Sequence, residues 1–111
     1  MITTHVLDIA RGCAAADVAV VLELRRAGEW VRVGAGRTDE RGRVATLGEA
    51  AAAAEVGRYR LTFDTGAYHR RHGVAAFFPE VQVVFDVADA SQHFHVPLVI
   101  SPFGYSTYRG T

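Results

Sequence analysis

Several short segments of this chain alternate regularly between apolar and polar residues. In residues 81 to 87 every second residue is valine or phenylalanine, and residues 58 to 64 alternate in the same way. A period of two is typical of β-strands with one buried face, because successive side chains point to opposite sides. Further strands are predicted at residues 2 to 9, 18 to 25, 30 to 33, 43 to 45, 93 to 100 and 104 to 109. Short strands separated by frequent turns predict one antiparallel sandwich domain over residues 1 to 111.

Two segments depart from this alternation. The segment from Asp64 to Gly73 begins with a good capping residue, carries basic residues in its last turn and closes on glycine. It therefore predicts one short helix. The segment from Thr46 to Gly57 has the spacing of a capping box, followed by an alanine run. It also favours a helix, although one this short needs tertiary contacts to be stable.

Composition excludes several classes of partner. The chain has 12 basic and 12 acidic residues, and this balance argues against nucleic-acid binding. No apolar run approaches the roughly 18 residues that span a membrane, and Met1 to His5 does not resemble a signal peptide. The single cysteine, Cys13, fits a reducing compartment. We therefore expect a soluble cytoplasmic protein, and its 50% apolar content makes it a candidate for self-assembly.

Two histidines share one face of the strand predicted at residues 93 to 100. His93 and His95 project from its more polar side, where they are either solvated surface residues or part of a site. A metal site would need at least one further ligand, and no cluster of recognisable spacing supplies it, so no metal is predicted. Cys13 has no positioned histidine partner that would make it a nucleophile.

The most specific residues of the chain lie at its two ends and in one turn. These are Thr-Thr-His-Val-Leu-Asp at residues 3 to 8, Gly-Arg at 42 and 43, and the stretch of residues 93 to 111. This last stretch begins with His-Phe-His-Val-Pro-Leu and ends with Tyr-Arg-Gly-Thr. Together they resemble the 5-hydroxyisourate hydrolases of the transthyretin-like family. The resemblance covers essentially the whole chain, including residues 61 to 65 and 77 to 79. Transthyretin itself, the hormone-carrying relative, lacks the catalytic histidines and the Tyr-Arg-Gly tail.

The resemblance implies a fold, an assembly and a set of site residues. The fold would be a sandwich of two four-stranded antiparallel sheets with one short helix, assembled as a homotetramer that is a dimer of dimers, with active sites in a channel between dimers. The family's catalytic residues correspond to His5, Arg43 and His95. Its terminal substrate-binding residues correspond to Tyr108, Arg109, Gly110 and Thr111. Thr111 stands where the family usually has serine, so it keeps the hydroxyl and adds a methyl group.

The implied reaction is hydrolysis of a cyclic amide of 5-hydroxyisourate, the unstable product of urate oxidation, to 2-oxo-4-hydroxy-4-carboxy-5-ureidoimidazoline, without a cofactor. Histidine suits water activation because its pKa lies near cellular pH, and arginine suits stabilisation of an oxyanion. We assign His5 and His95 to water activation and proton transfer, leaving open which is the base. The alternative function is a small-ligand carrier that uses the same channel.

The remaining histidines are expected to lie outside the site. His69 and His72 fall on the predicted helix, where surface exposure is the simpler interpretation, and the family pattern does not require a catalytic role for His93.

Overall fold

The computed structural model describes residues 1 to 111 and places its strands in two four-stranded sheets. The strands are β1 (Ile2–Asp8), β2 (Cys13–Ala14), β3 (Ala19–Arg26), β4 (Glu29–Arg37), β5 (Gly57–Phe63), β6 (Val81–Val87), β7 (Phe94–Ser101) and β8 (Gly104–Thr107). The helices are α1 (Glu49–Ala52) and α2 (Thr65–Arg71). The first sheet has the order β2-β1-β7-β8 and the second the order β4-β3-β5-β6. The predicted sandwich is confirmed.

The core lies between the two sheets and consists of the apolar faces that the alternation predicts. On β5, Tyr59, Leu61 and Phe63 are fully buried. On β7, Leu98 and Ile100 are buried in the same layer. Burial of a large apolar side chain contributes about 1.5–3 kcal/mol, so these layers account for much of the driving force that joins the sheets.

The direction of one strand pair differs from the prediction. β1 and β7 run parallel, in register from Ile2 opposite Phe94 to Asp8 opposite Ile100, so the first sheet is mixed and the expectation of two wholly antiparallel sheets is wrong for this pair. Alternation identifies the face of a strand but carries no information about the direction of its neighbour. The parallel register places Thr3 opposite His95, close to the site described below.

The helix predicted from Asp64 to Gly73 is confirmed as α2. The Asp64 carboxylate caps it by accepting a hydrogen bond from the Ala67 nitrogen at 3.1 Å, and Gly73 follows its end with a φ of 66°. No helix in the chain is long and apolar enough to cross a membrane.

Other predicted elements are shorter than expected. The alanine-rich segment forms only the single turn α1, which begins after Gly48, and the Thr46 hydroxyl accepts from the Gly48 nitrogen instead of capping a longer helix. The strand predicted at residues 43 to 45 is reduced to isolated bridges made by Arg43 and Val44. The last strand ends at residue 107 rather than 109, and the two-residue β2 is too short to produce a detectable alternation.

His69 is buried, contrary to the surface position expected for it. Its exposed fraction is 4%, because Thr65, Tyr68 and His69 form the face of α2 that packs on the sandwich. Their spacing of three and four residues places them on one helical face, so the sequence contains a signal from which the burial of His69 could have been predicted. His72 is exposed, as expected.

Candidate active site

A polar pocket opens beside the start of β1 and β7. Its volume is about 420 Å³, and one predicted catalytic histidine, the predicted arginine and the chain's last residue all line it. The lining residues are Thr3, Thr4, Arg43, Val44, His93, His95 and Thr111. The fold therefore brings together three parts of the chain that are far apart in sequence.

His95 is held from two sides. Its Nδ1 lies 2.8 Å from the hydroxyl of Thr3, which faces it across the parallel strand pair. On the other side, the backbone nitrogen of Gly110 donates to the carbonyl oxygen of His95 at 2.8 Å. Because Nδ1 is engaged by Thr3, Nε2 is the ring nitrogen available to a molecule in the pocket.

The environment of His95 favours its neutral form. Burial lowers the pKa of the imidazole below its usual value, and the nearby charges of Arg43, His5 and His93 lower this pKa further. A histidine with a lowered pKa is unprotonated at neutral pH and is able to accept a proton.

Arg43 is presented by a tight turn fixed by an aspartate. The Asp39 carboxylate accepts from the backbone nitrogens of Arg41 at 2.8 Å and of Arg43 at 3.0 Å, and these two bonds hold the pKa of Asp39 below its ordinary value. Gly42 has a φ of 78°, a conformation that glycine adopts readily, and its carbonyl accepts from the Val6 nitrogen at 2.8 Å. The turn is thus anchored to β1, and the Arg43 guanidinium forms no ion pair within the chain.

His5 lies next to the pocket but does not line it. Its backbone forms an isolated bridge with Arg43, and its Nε2 lies 2.8 Å from the carbonyl oxygen of Arg41. A carbonyl oxygen only accepts, so Nε2 of His5 carries the hydrogen and Nδ1 is its free nitrogen. His5 therefore braces the turn that presents Arg43.

The four terminal residues are divided between different surroundings. Thr111 lines the polar pocket, and Gly110 packs on His95. Tyr108 and Arg109 line a second, more apolar cavity of about 260 Å³, to which His95 also contributes. The Arg109 guanidinium lies 4.7 Å from the ring centre of Phe94 and donates to the Gln92 side chain at 2.8 Å, so it is held outside the polar pocket.

Four residues that line the pocket lie outside the predicted site, namely Thr3, Thr4, Val44 and His93. The resemblance assigns no site role to Thr3 or His93, yet both line the pocket and their side chains are hydrogen-bonded at 3.0 Å. The alternation along β1 and β7 places them on the site's face, but only the parallel register shows that they meet.

Comparison with known proteins assigns the family. The sequence pattern of the HIUase/Transthyretin family matches residues 2–110. The chain belongs to this family. Among family members, the 5-hydroxyisourate hydrolase of Salmonella typhimurium is 41% identical over 111 residues, which cover 100% of this chain and 81% of that protein.

Solved structures of the family include both of its branches. The 5-hydroxyisourate hydrolase of Klebsiella pneumoniae superposes with a TM-score of 0.81 at 40% identity, covering 99% of this chain and 92% of that one. Sea bream transthyretin, solved in complex with thyroxine, superposes with a TM-score of 0.92 at 31% identity, covering 99% and 94%. The backbone fold alone therefore does not separate hydrolase from carrier, and the residues of the pocket have to do so.

Proposed function

We propose that this protein is a 5-hydroxyisourate hydrolase that opens a cyclic amide of its substrate in urate degradation. The observation that supports this most strongly is that one polar pocket is lined both by His95, whose pKa is lowered by burial, and by Arg43, whose guanidinium forms no ion pair. The hydrolases that are about 41% identical over the full length of the chain support the same reaction.

In this proposal His95 is the general base. Its Nε2 takes a proton from a water molecule, and the resulting hydroxide attacks the amide carbonyl. Thr3 fixes the ring through Nδ1, which keeps Nε2 directed to the pocket. Arg43 then stabilises the negative charge that develops on the carbonyl oxygen, because its guanidinium is a permanent cation with planar donors.

The other predicted site residues take distinct parts in the proposal. His5 supports the turn that presents Arg43 through its contact with the Arg41 carbonyl oxygen. Its free Nδ1 is the atom through which it would take part in proton transfer. Thr111 offers its hydroxyl to the substrate from the pocket wall. Tyr108 and Arg109 bind substrate only where it extends past His95 into the neighbouring cavity.

We further propose a homotetramer, a dimer of dimers in the cytoplasm. Each sheet has two outer strands, β2 and β8 in the first and β4 and β6 in the second, and β6 and β8 each have one edge without a partner strand. Exposed apolar side chains occur on both, including Val84 and Tyr105. Unpaired edges are templates for pairing with another chain, and a second copy offers the same two edges. Light scattering coupled to gel filtration tests the assembly, and a monomeric mass would contradict it.

A second candidate function is carriage of a small ligand, favoured by the superposition on sea bream transthyretin in complex with thyroxine. The test that separates the two functions uses 5-hydroxyisourate formed in place from urate by urate oxidase. A hydrolase shortens the lifetime of this compound at protein concentrations far below that of the substrate. A carrier leaves its decay unchanged at such ratios and instead binds thyroxine stoichiometrically, which calorimetry detects.

A further inference from the structure

The hydroxyl of Thr3 lies between two imidazoles. Its Oγ1 is 2.8 Å from Nδ1 of His95 and 3.0 Å from Nε2 of His93. His95 and Thr3 are half-buried, whereas His93 is exposed. The three side chains therefore form a hydrogen-bonded chain that runs from the interior of the pocket to solvent.

This chain couples the protonation of the two histidines. A hydroxyl has one hydrogen, so Thr3 donates to one imidazole and accepts from the other. When Nδ1 of His95 carries a hydrogen, Thr3 accepts it and donates to His93. When Thr3 donates to His95, Nε2 of His93 carries the hydrogen, and Nε2 of His95 must carry one as well if the ring is neutral. The first state leaves Nε2 of His95 free as a base, and the second makes it an acid.

We propose that Thr3 and His93 form a proton relay that switches His95 between its basic and acidic forms during turnover. This proposal rests on the proposed hydrolase function. Thr3 and His93 are positioning residues, since they act through His95 and need not touch the reacting amide. The hydrogen bonds of Thr3 to both rings carry the proposal.

The steps of the relay balance. As water attacks, Nε2 of His95 takes its proton, the Nδ1 hydrogen passes to Thr3, the Thr3 hydrogen passes to Nε2 of His93, and His93 releases a proton from Nδ1 to solvent. As the carbon–nitrogen bond breaks, His95 gives its Nε2 proton to the leaving nitrogen and the relay runs backwards, with His93 taking a proton from solvent. The carboxylic acid that forms loses its own proton to solvent.

The charges around the relay favour its first step, in which His95 takes a proton from water. Arg43 and His5 face His95 from the neighbouring turn and from β1, and Arg109 and Asp86 line the cavity on its other side. No acidic side chain lines the polar pocket, so a proton on His95 meets no side-chain carboxylate there. Transfer to exposed His93 moves the positive charge away from Arg43 into water, where it is better solvated.

Nitrogen-15 NMR of the histidine rings tests the hydrogen-bonded chain from His95 through Thr3 to His93 and does not require the protein to be active. We expect the two rings to titrate as a coupled pair, with the His95 signals shifting as His93 ionises. Thr3→Val keeps the shape of the side chain and should reduce this coupling to the direct interaction between the charges of the two rings, whereas Thr3→Ser should retain the full coupling. Independent titration of the two rings in the unaltered protein, or coupling of undiminished size in Thr3→Val, would overturn the relay.

Steady-state kinetics test whether the proton relay contributes to catalysis. Thr3→Val and His93→Gln should each lower kcat by about tenfold with little change in KM, and should alter the pH profile of kcat. Thr3→Ser should restore kcat, and His72→Gln, which replaces an exposed histidine on another face, should have no effect. An unchanged pH profile in both Thr3→Val and His93→Gln would overturn the relay. If the unaltered protein shows no turnover, the proposed hydrolase function fails. The coupled titration measured by NMR then decides separately whether His93 and His95 exchange protons through Thr3.

Discussion

Gly110 packs directly against the imidazole of His95. The two residues form an isolated bridge, and a Cβ atom built on Gly110 would lie 2.6 Å from Cδ2 of the histidine ring. A contact this short cannot be accommodated unless the ring moves. Gly110 therefore has a physical role in the site, which is to leave room for the His95 ring in the orientation that its hydrogen bond to Thr3 holds.

Replacing this glycine should impair the site without unfolding the protein. We expect Gly110→Ala to lower kcat/KM by about 10- to 100-fold, because a displaced base loses its alignment with water. Thermal unfolding should change little, since residue 110 lies outside the buried core. Gly104→Ala is the matched control, as a Cβ there meets nothing closer than the Ser101 hydroxyl at 3.7 Å. Equal activity of the two variants would contradict the account.

The Arg43 guanidinium is expected to act mainly in the transition state. Arg43→Ala should lower kcat by about 100-fold or more, in line with the loss of an oxyanion-stabilising donor. Arg41→Ala is the control, since it removes a guanidinium from the same turn but keeps the carbonyl that His5 bonds. Steady-state kinetics on both variants decide the point, and an Arg41→Ala enzyme as impaired as Arg43→Ala would show that the turn tolerates neither change.

The pKa of His95 should lie below the usual value for histidine, and Arg43 should contribute to this. Burial is the largest cause and the charge of Arg43 the next, so Arg43→Ala should raise the pKa while leaving it depressed. The sign follows from linkage: the folded state binds this proton more weakly than the unfolded state, so His95 costs stability as the pH falls below about 6.5. NMR titration measures the pKa directly. A value at or above that of an exposed histidine would contradict the prediction.

A buried hydrogen bond outside the site should matter for stability alone. The Tyr68 hydroxyl donates to the Asp8 carboxylate at 2.8 Å, and both residues are buried. Tyr68→Phe should destabilise the protein by about 1–3 kcal/mol, because a carboxylate oxygen loses its partner. Urea unfolding measures the change, and hydrolase activity should stay the same. Tyr108→Phe, at an exposed position, is the control for stability.

Much of the fold could be predicted because it depends on local pattern. The alternation in β5 and β6 fixed which side chains face the core, and Asp64 marked the start of α2. The parallel pairing of β1 with β7 could not be predicted from the residues, since direction depends on a path that crosses the whole second sheet.

The site was predictable only in part. His95 and Arg43 were singled out from a resemblance, and the structure brings them to one pocket, although their catalytic role stays a prediction. The placement of His5 behind the turn and the bridge made by Thr3 depend on side-chain contacts across strands. Single-strand patterns contain no information about such contacts.

If His95 is the base of a hydrolase, its removal should abolish turnover. The test follows the ultraviolet decay of 5-hydroxyisourate, generated from urate by urate oxidase, with the unaltered protein, with His95→Ala and with the control His72→Ala. The spontaneous decay without protein sets the baseline. We predict a marked acceleration by the unaltered protein and by His72→Ala, and decay close to the baseline for a folded His95→Ala. Full acceleration by His95→Ala, or none by the unaltered protein, would contradict the account.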